Sequence, residues 1–482
     1  MERRSFRQWL METRESRTMV VIVVTVALFV DCILSTVIAP ILPTVLNDSL
    51  HGKENTSVTS NSSAVSDYTF LFNLSLYNNS SEGIYQEQNV SRTQGSGIDG
   101  ECHDQEKDSL HGENLKIGLL LSFKGMVQIV ANPIVGKLTN RFGYDAPLFV
   151  GFAVVFTSTL MYAFGEEYVF LCVARGFQGI GSSLTTVPGL ALLANIYPDD
   201  NERAKVMAIA TSGLAVGALV AAPFGSLMNG FLGKSSPFYV IAAVTLLDGA
   251  LRLCILKPKF SPGSIPATPY RTLLADPYIL VTVAGDFLTK LSFSLLQTTV
   301  PLRMLEHMCA PSYQLGLAFV PAMLTCILTL NGFAILSLKW GRWLCLMLGL
   351  IFQGIGVICF PLAKNIFGLI GPSIVLGIGI SLVGASVVPM MAFLIDLRHT
   401  SVYGGIYAIL DSVLCLGFSI GPLFGGAIAS AIGFTWVMVI LCVLLITYAP
   451  LLILLRNVPG KDEKKPILNH EEMPEETKPD DH

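Results

Sequence analysis

The chain has 482 residues, of which 52% are hydrophobic and 14% charged, with a net charge of −4. Roughly a quarter of the residues are charged in an ordinary soluble domain, so the composition points to lipid as solvent, and without basic patches interleaved with aromatics, nucleic acid is not an expected partner. The ten cysteines show no CxxC spacing, no HExxH, GxSxG or Walker loop occurs in a plausible context, and neither catalysis, a metal nor a cofactor is expected.

Crossing a hydrocarbon core of about 30 Å takes roughly 20 mainly apolar residues. The first such run, 19–43, follows Arg3, Arg4, Arg7, Arg14 and Arg17 and exceeds the apolar region of a signal peptide, so it reads as a span. Eleven more follow at 115–137, 146–165, 168–197, 204–230, 236–256, 276–305, 313–337, 342–363, 366–396, 403–431 and 434–455. The expected fold class is an all-α membrane protein with twelve transmembrane helices. The even-numbered connections hold Lys137 and Arg141, Arg203 and Lys205, Lys257, Lys259 and Arg271, Lys339 and Arg342, and Arg398. By the positive-inside rule both termini are cytoplasmic, with 1–18 as the N-terminal tail.

The polar loop 44–114 falls on the opposite side. It carries seven Asn-x-Ser/Thr sequons, at Asn47, Asn55, Asn61, Asn73, Asn78, Asn79 and Asn89, which predicts a glycosylated, non-cytoplasmic loop. That side is oxidising, so Cys102 in this loop and Cys309 after the seventh span either form a disulfide or remain two free thiols. The polar stretch 257–275 divides six spans (19–256) from six (276–455), a plan of two parallel bundles with the solute path between them. The tail 456–482 is charged and contains proline, and it is expected to be disordered.

The loop Gly136-Lys137-Leu138-Thr139-Asn140-Arg141-Phe142-Gly143 resembles the GxLaDRxG loop of the major facilitator superfamily. Gly213, Gly217, Pro223 and Gly225 in span five are similar to that superfamily's antiporter motif, and Gly417, Gly421, Pro422, Gly425 and Gly426 mirror them in span eleven. Longer blocks resemble the vesicular amine transporters, that is, the vesicular monoamine and acetylcholine carriers. They include Gln178-Gly179-Ile180-Gly181-Ser182-Ser183, Leu246-Leu247-Asp248-Gly249-Ala250, Asp276-Pro277-Tyr278-Ile279-Leu280, Gly341-Arg342-Trp343-Leu344-Cys345 and Asp396-Leu397-Arg398-His399. The resemblance runs from the first span to Arg456 and is closest to the monoamine branch. It implies two six-helix bundles and proton-coupled antiport, driving a cationic organic amine from cytosol into acidic secretory or synaptic vesicles. The alternatives are another amine, a zwitterion or a polyamine as cargo, or a binding or sensor protein without coupled transport.

An ionisable residue in mid-span costs about 2.5–3.5 kcal/mol on insertion scales, so each is a candidate for function. Asp31, between Val30 and Cys32, can hold an ammonium group or a proton, and it matches the family's amine-binding Asp. Lys124 and Asp411 match a family pair linking the two bundles, with proton binding to Asp411 as the switch. Arg175 and Asp248 match family positions with structural or gating roles. Tyr407, four residues before Asp411, either contacts substrate or packs.

Other positions depart from the monoamine pattern. Gln297 stands where those carriers have a substrate-binding Glu, Lys290 where they have an Asn, Gly384 where they have an Asp, and Phe418 where they have a Tyr; Cys326 replaces an aromatic residue. Asp286 lies four residues before Lys290, a spacing that allows an internal pair, the alternative being a cavity-facing Lys290. In the tail, Glu463, Ile467 and Leu468 form an ExxxIL core that fits an acidic dileucine signal read by sorting adaptors.

Overall fold

The computed structural model describes residues 17–51, 107–165, 167–255, 268–308 and 317–460. Among these, twelve helices are long and apolar enough to cross a membrane. They are α1 (Arg17–His51), α2 (Lys107–Phe142), α3 (Asp145–Phe164), α4 (Tyr168–Ile196), α5 (Asp200–Leu232), α6 (Ser236–Ile255), α7 (Pro277–Met308), α8 (Val320–Trp340), α9 (Arg342–Cys359), α10 (Ile370–Arg398), α11 (Gly404–Ile432) and α12 (Phe434–Tyr448). A helix satisfies its own backbone polar groups, as a segment surrounded by hydrocarbon must. With twelve crossings, the start of α1 and the end of α12 share one face, called here the terminal face.

Local chemistry sets several helix ends. The Asp199 carboxylate caps α5 by accepting from the Glu202 amide at 3.0 Å. Gly143 follows α2 with φ of +84° while its amide bonds the Thr139 carbonyl, a backbone that a side chain would strain. Ninth and twelfth spans tighten into 3₁₀ turns at Phe360–Leu362 and Ala449–Arg456, where Pro361 and Pro450 remove an α-helical donor.

Helix α1 continues to His51, and α2 begins at Lys107, so helix extends into both edges of the expected loop 44–114. The apolar run of α1 continues to Leu46, and the polar stretch Asn47 to His51 is helical too, which hydropathy alone does not show. Among the described residues span eight is Val320–Trp340, and a short helix, Tyr270–Leu274, occupies part of the central connection. Cys102, Cys309, the sequons from Asn55 to Asn89, and Glu463, Ile467 and Leu468 lie outside the described residues, as does the Asn47 side chain.

Packing follows an internal repeat. The pairs α1 with α5, α2 with α4, α3 with α4 and α3 with α6 recur as α7 with α11, α8 with α10, α9 with α10 and α9 with α12. This gives two six-helix bundles related as parallel repeats, joined along α2–α11 and α5–α8. The glycine motifs serve corresponding contacts. Gly213 and Gly217 bring α5 against the α1 backbone at Thr25 and Phe29, while Gly417 and Gly421 bring α11 against α7 at Lys290 and Ser294; a larger side chain at any of them would collide.

Candidate functional site

Asp31 lies fourteen residues into α1, roughly 21 Å from the terminal face at 1.5 Å per residue. It is 6% exposed. Its carboxylate receives the Lys124 ammonium from α2 at 3.3 and 3.4 Å and the Ser182 hydroxyl from α4. Lys124 also donates to Ser35 Oγ at 2.5 Å. Ser35 stands one turn beyond Asp31, donates to the Asp31 carbonyl at 2.8 Å, and accepts from Gln178 Nε2 at 3.1 Å. Gln178 Oε1 then takes the Tyr162 hydroxyl at 3.0 Å and Arg175 at 3.1 Å. Buried charge survives only when paired and hydrogen-bonded; Asp31 and Lys124 meet that requirement as a pair, whereas Arg175 has only neutral acceptors, Gln178 Oε1 and the Ser35 carbonyl, and its Nε meets none among the described residues.

The expected Lys124–Asp411 pair is not formed. Asp411 accepts instead from Gln128 Nε2 at 2.8 Å, although Lys124 and Asp31 lie within electrostatic reach. One turn further along α2, Asn132 donates to Ser412 at 3.2 Å. Lys124, Gln128 and Asn132 are spaced four apart, so one stripe of α2 reads both bundles. The correction has a simple cause: two carboxylates flank one ammonium, and the amide of Gln128 can take the place of a cation at Asp411.

In the second bundle, Lys290 Nζ is 3.4 Å from Asp286 Oδ1, and their side chains are 17% and 5% exposed. Gln297, two turns beyond Lys290, is exposed. Phe293 meets Phe418 and Phe319 edge to face at 6.0 and 6.2 Å. Cys326 is buried, and a Cβ on Gly384 would touch only Leu330. Of the two readings of Tyr407, this conformation has it packed. It is fully buried, and its hydroxyl donates to the Val388 carbonyl at 3.2 Å beside Met207 of the first bundle.

Asp248 pairs with Arg252 on its own helix at 2.7 Å, and Arg252 donates to the Leu148 carbonyl, tying α6 to α3. The terminal face holds most of the ionic contacts between bundles. Arg203 meets Asp396 at 2.6 Å and Asp200 at 2.9 Å, Arg342 meets Asp200, and the Tyr403 hydroxyl donates to Asp396 at 2.7 Å. Gly136 and Asn140 of α2 lie against Gly404 of α11. No packed seam joins α1 to α7 among the described residues. The ionic contacts between bundles thus gather at the terminal face, while Ser122 and Ser419 join α2 to α11 beyond Lys124.

Just outside α7, Asp276 accepts from Arg398 at 2.6 Å and lies 3.0 Å from His399 Nε2. Burial alone would raise its pKa, but hydrogen bonds from Arg398, the Tyr278 amide and His399, with the Arg398 charge, hold the carboxyl below its ordinary value.

Ser35, Gln128, Tyr162, Gln178 and Ser182 complete the site, and sequence patterning does not single them out as ligands of the charges. A signal does exist in the spacing. Ser35 is four residues from Asp31, Gln128 is four from Lys124, and Gln178 and Ser182 are three and seven from Arg175, so each polar residue shares a helical face with an intramembrane charge.

Twelve helices in two repeated bundles, with a charged network at their seam, define a secondary carrier of the major facilitator class. The sequence profile described as Major Facilitator Superfamily matches residues 24–414. The human organic anion transporter MFSD10 (TETRAN) shares the fold at a TM-score of 0.66 and 16% identity, covering 91% of this chain and 98% of that one. The chain is 43% identical to the synaptic vesicular amine transporter of Homo sapiens over 98% of its own length and 94% of that protein's. It is 46% identical to the chromaffin granule amine transporter of Rattus norvegicus, covering 97% and 93%, and 34% identical to the vesicular acetylcholine transporter of that species, covering 93% and 84%. The chain belongs to the vesicular amine transporters of the major facilitator superfamily. It is a multi-pass membrane transporter, not an enzyme.

Proposed function

We propose that this chain moves a cationic organic amine from the cytosol into acidic secretory or synaptic vesicles in exchange for protons, by alternating access between its bundles. The observation that carries the reading is the buried Asp31 carboxylate with an ammonium and a hydroxyl as its partners. A substrate ammonium is chemically equivalent to that of Lys124 and can replace it. Leaving a buried carboxylate charged and unpaired costs several kcal/mol, so Asp31 exchanges one cation for another or for a proton. That competition is the coupling an antiporter needs.

Asp411 takes the second role. Its bond to Gln128 crosses the seam between bundles, so protonation there alters a contact that differs between conformations. Arg175 positions Gln178 and Ser35 and acts on gating through them. The amine and the vesicle are supported by the names of the relatives, and cytoplasmic termini by the basic residues on the terminal face. In that orientation the ionic contacts between bundles lie toward the cytosol. The loop 44–114 is luminal and glycosylated, Cys102 and Cys309 share its oxidising side, and Glu463, Ile467 and Leu468 serve sorting adaptors.

Uptake of labelled amines by proteoliposomes, with and without an inside-acid gradient, tests this reading. Accumulation is expected only with the gradient, and Asp31→Asn should lower it about a hundredfold, a difference of roughly 2.7 kcal/mol. Saturable binding with no gradient-dependent accumulation would instead make the chain a sensor.

A further inference from the structure

Lys290 differs from the other cations of the seam and its surroundings. Lys124 and Arg175 each hold several acceptors, Arg203 bonds two carboxylates, and Arg252 pairs with Asp248 and a carbonyl. An ammonium has three protons to donate. Among the described residues Lys290 contacts Asp286 Oδ1 at 3.4 Å, about the length of the Lys124–Asp31 contact, but it lacks a second acceptor such as Lys124 has in Ser35. Asp286 answers its charge but leaves its donors largely unused.

Gly417 of α11 packs directly on the Lys290 Cβ, and the charge of Lys290 reaches the buried Cys326 of α8. Lys290 lies thirteen residues into α7, roughly 20 Å from the terminal face at 1.5 Å per residue, a depth close to that of Asp31. The repeat makes α7 the counterpart of α1. The first bundle thus presents an acidic group and the second a basic one. Phe293, one turn from Lys290, and Phe418, next to Gly417, meet edge to face at 6.0 Å in the second bundle.

We propose that Lys290 is the anion-binding half of the substrate site, so that the cargo is an aromatic zwitterion carrying a carboxylate as well as an ammonium. The inference rests on the amine-carrier reading, because the ammonium goes to Asp31. The carboxylate takes the spare donors of Lys290. A monocarboxylate matches the single exposed ammonium, whereas a phosphate dianion would set two negative charges beside Asp286. A plain monoamine leaves the Lys290 donors unfilled and adds a second cation beside them.

Matched ligands that differ only by the carboxylate give the test: phenylethylamine against phenylalanine, and histamine against histidine. Binding is measured by calorimetry on the purified full chain, and uptake in proteoliposomes. Wild-type protein should bind the carboxylated member of a pair about tenfold more tightly, a difference of roughly 1.4 kcal/mol. Lys290→Gln should erase or reverse that preference by weakening the carboxylated ligand alone. Because Lys290→Gln leaves Asp286 unpaired, Asp286→Asn combined with Lys290→Gln is measured beside it, and the same loss of preference is expected. Wild-type protein that binds neither carboxylated ligand, or prefers the amines, overturns the proposal, as does an affinity ratio unchanged in both variants. The two readings fail separately. Lys290-dependent binding without proton-driven uptake sinks the antiporter and keeps the subsite, whereas proton-driven uptake of amines indifferent to Lys290 does the reverse.

Discussion

Lys124 stands between two carboxylates and bonds one of them, Asp31. Its choice decides which acid is ion-paired and which, Asp411, depends on a neutral amide. Breaking a buried pair from one side leaves a charge uncompensated, at about 3–5 kcal/mol, whereas replacing both partners is much less costly. Lys124→Gln should therefore lower thermal stability in detergent strongly, and adding Asp31→Asn should recover most of the loss; additive losses would contradict the pairing. Asp31, Lys124, Arg175 and Asp411 are all legible in the sequence because a charge within an apolar run is conspicuous. Their partners are not. Whether Lys124 turns to Asp31 or Asp411 depends on how α1, α2, α4 and α11 meet, and no single helix encodes that.

At the scale of elements, the twelve spans were readable because each needs about 20 apolar residues and the connections are polar. The ends were less so. The continuation of α1 through the polar stretch Asn47 to His51 depends on backbone geometry where hydropathy has already fallen. Tyr407 shows the same limit on position: its spacing from Asp411 gives the helical face but not the depth at which Val388 and Met207 bury it. Asp276 links elements distant in sequence, joining the start of α7 to Arg398 and His399, while Arg398 also donates to the Pro459 carbonyl at 2.9 Å. A carboxyl whose folded pKa is depressed contributes stability that is complete above its unfolded value, about 3.9, and lost as pH falls through the folded value. The stability difference between wild type and Asp276→Asn should accordingly be complete at about pH 5 and shrink below about pH 4. Thermal melts across that range check it, and a difference that grows on acidification would contradict it.

For the molecule as a whole, the repeat relating the bundles gives each gate a counterpart. Ionic contacts at Arg203–Asp396 and Arg342–Asp200 lie at the terminal face, while α1 and α7 have no packed seam among the described residues. In the proposed exchange, cargo and protons pass through the same seam at different times and compete at Asp31. The most direct measurement of that competition is proton efflux from acid-loaded proteoliposomes when amine or its carboxylated counterpart is added outside. Wild-type protein should release protons in proportion to the ligand taken up, and Asp31→Asn should release none. Ligand entry without proton release, or proton release that persists in Asp31→Asn, would contradict exchange at Asp31.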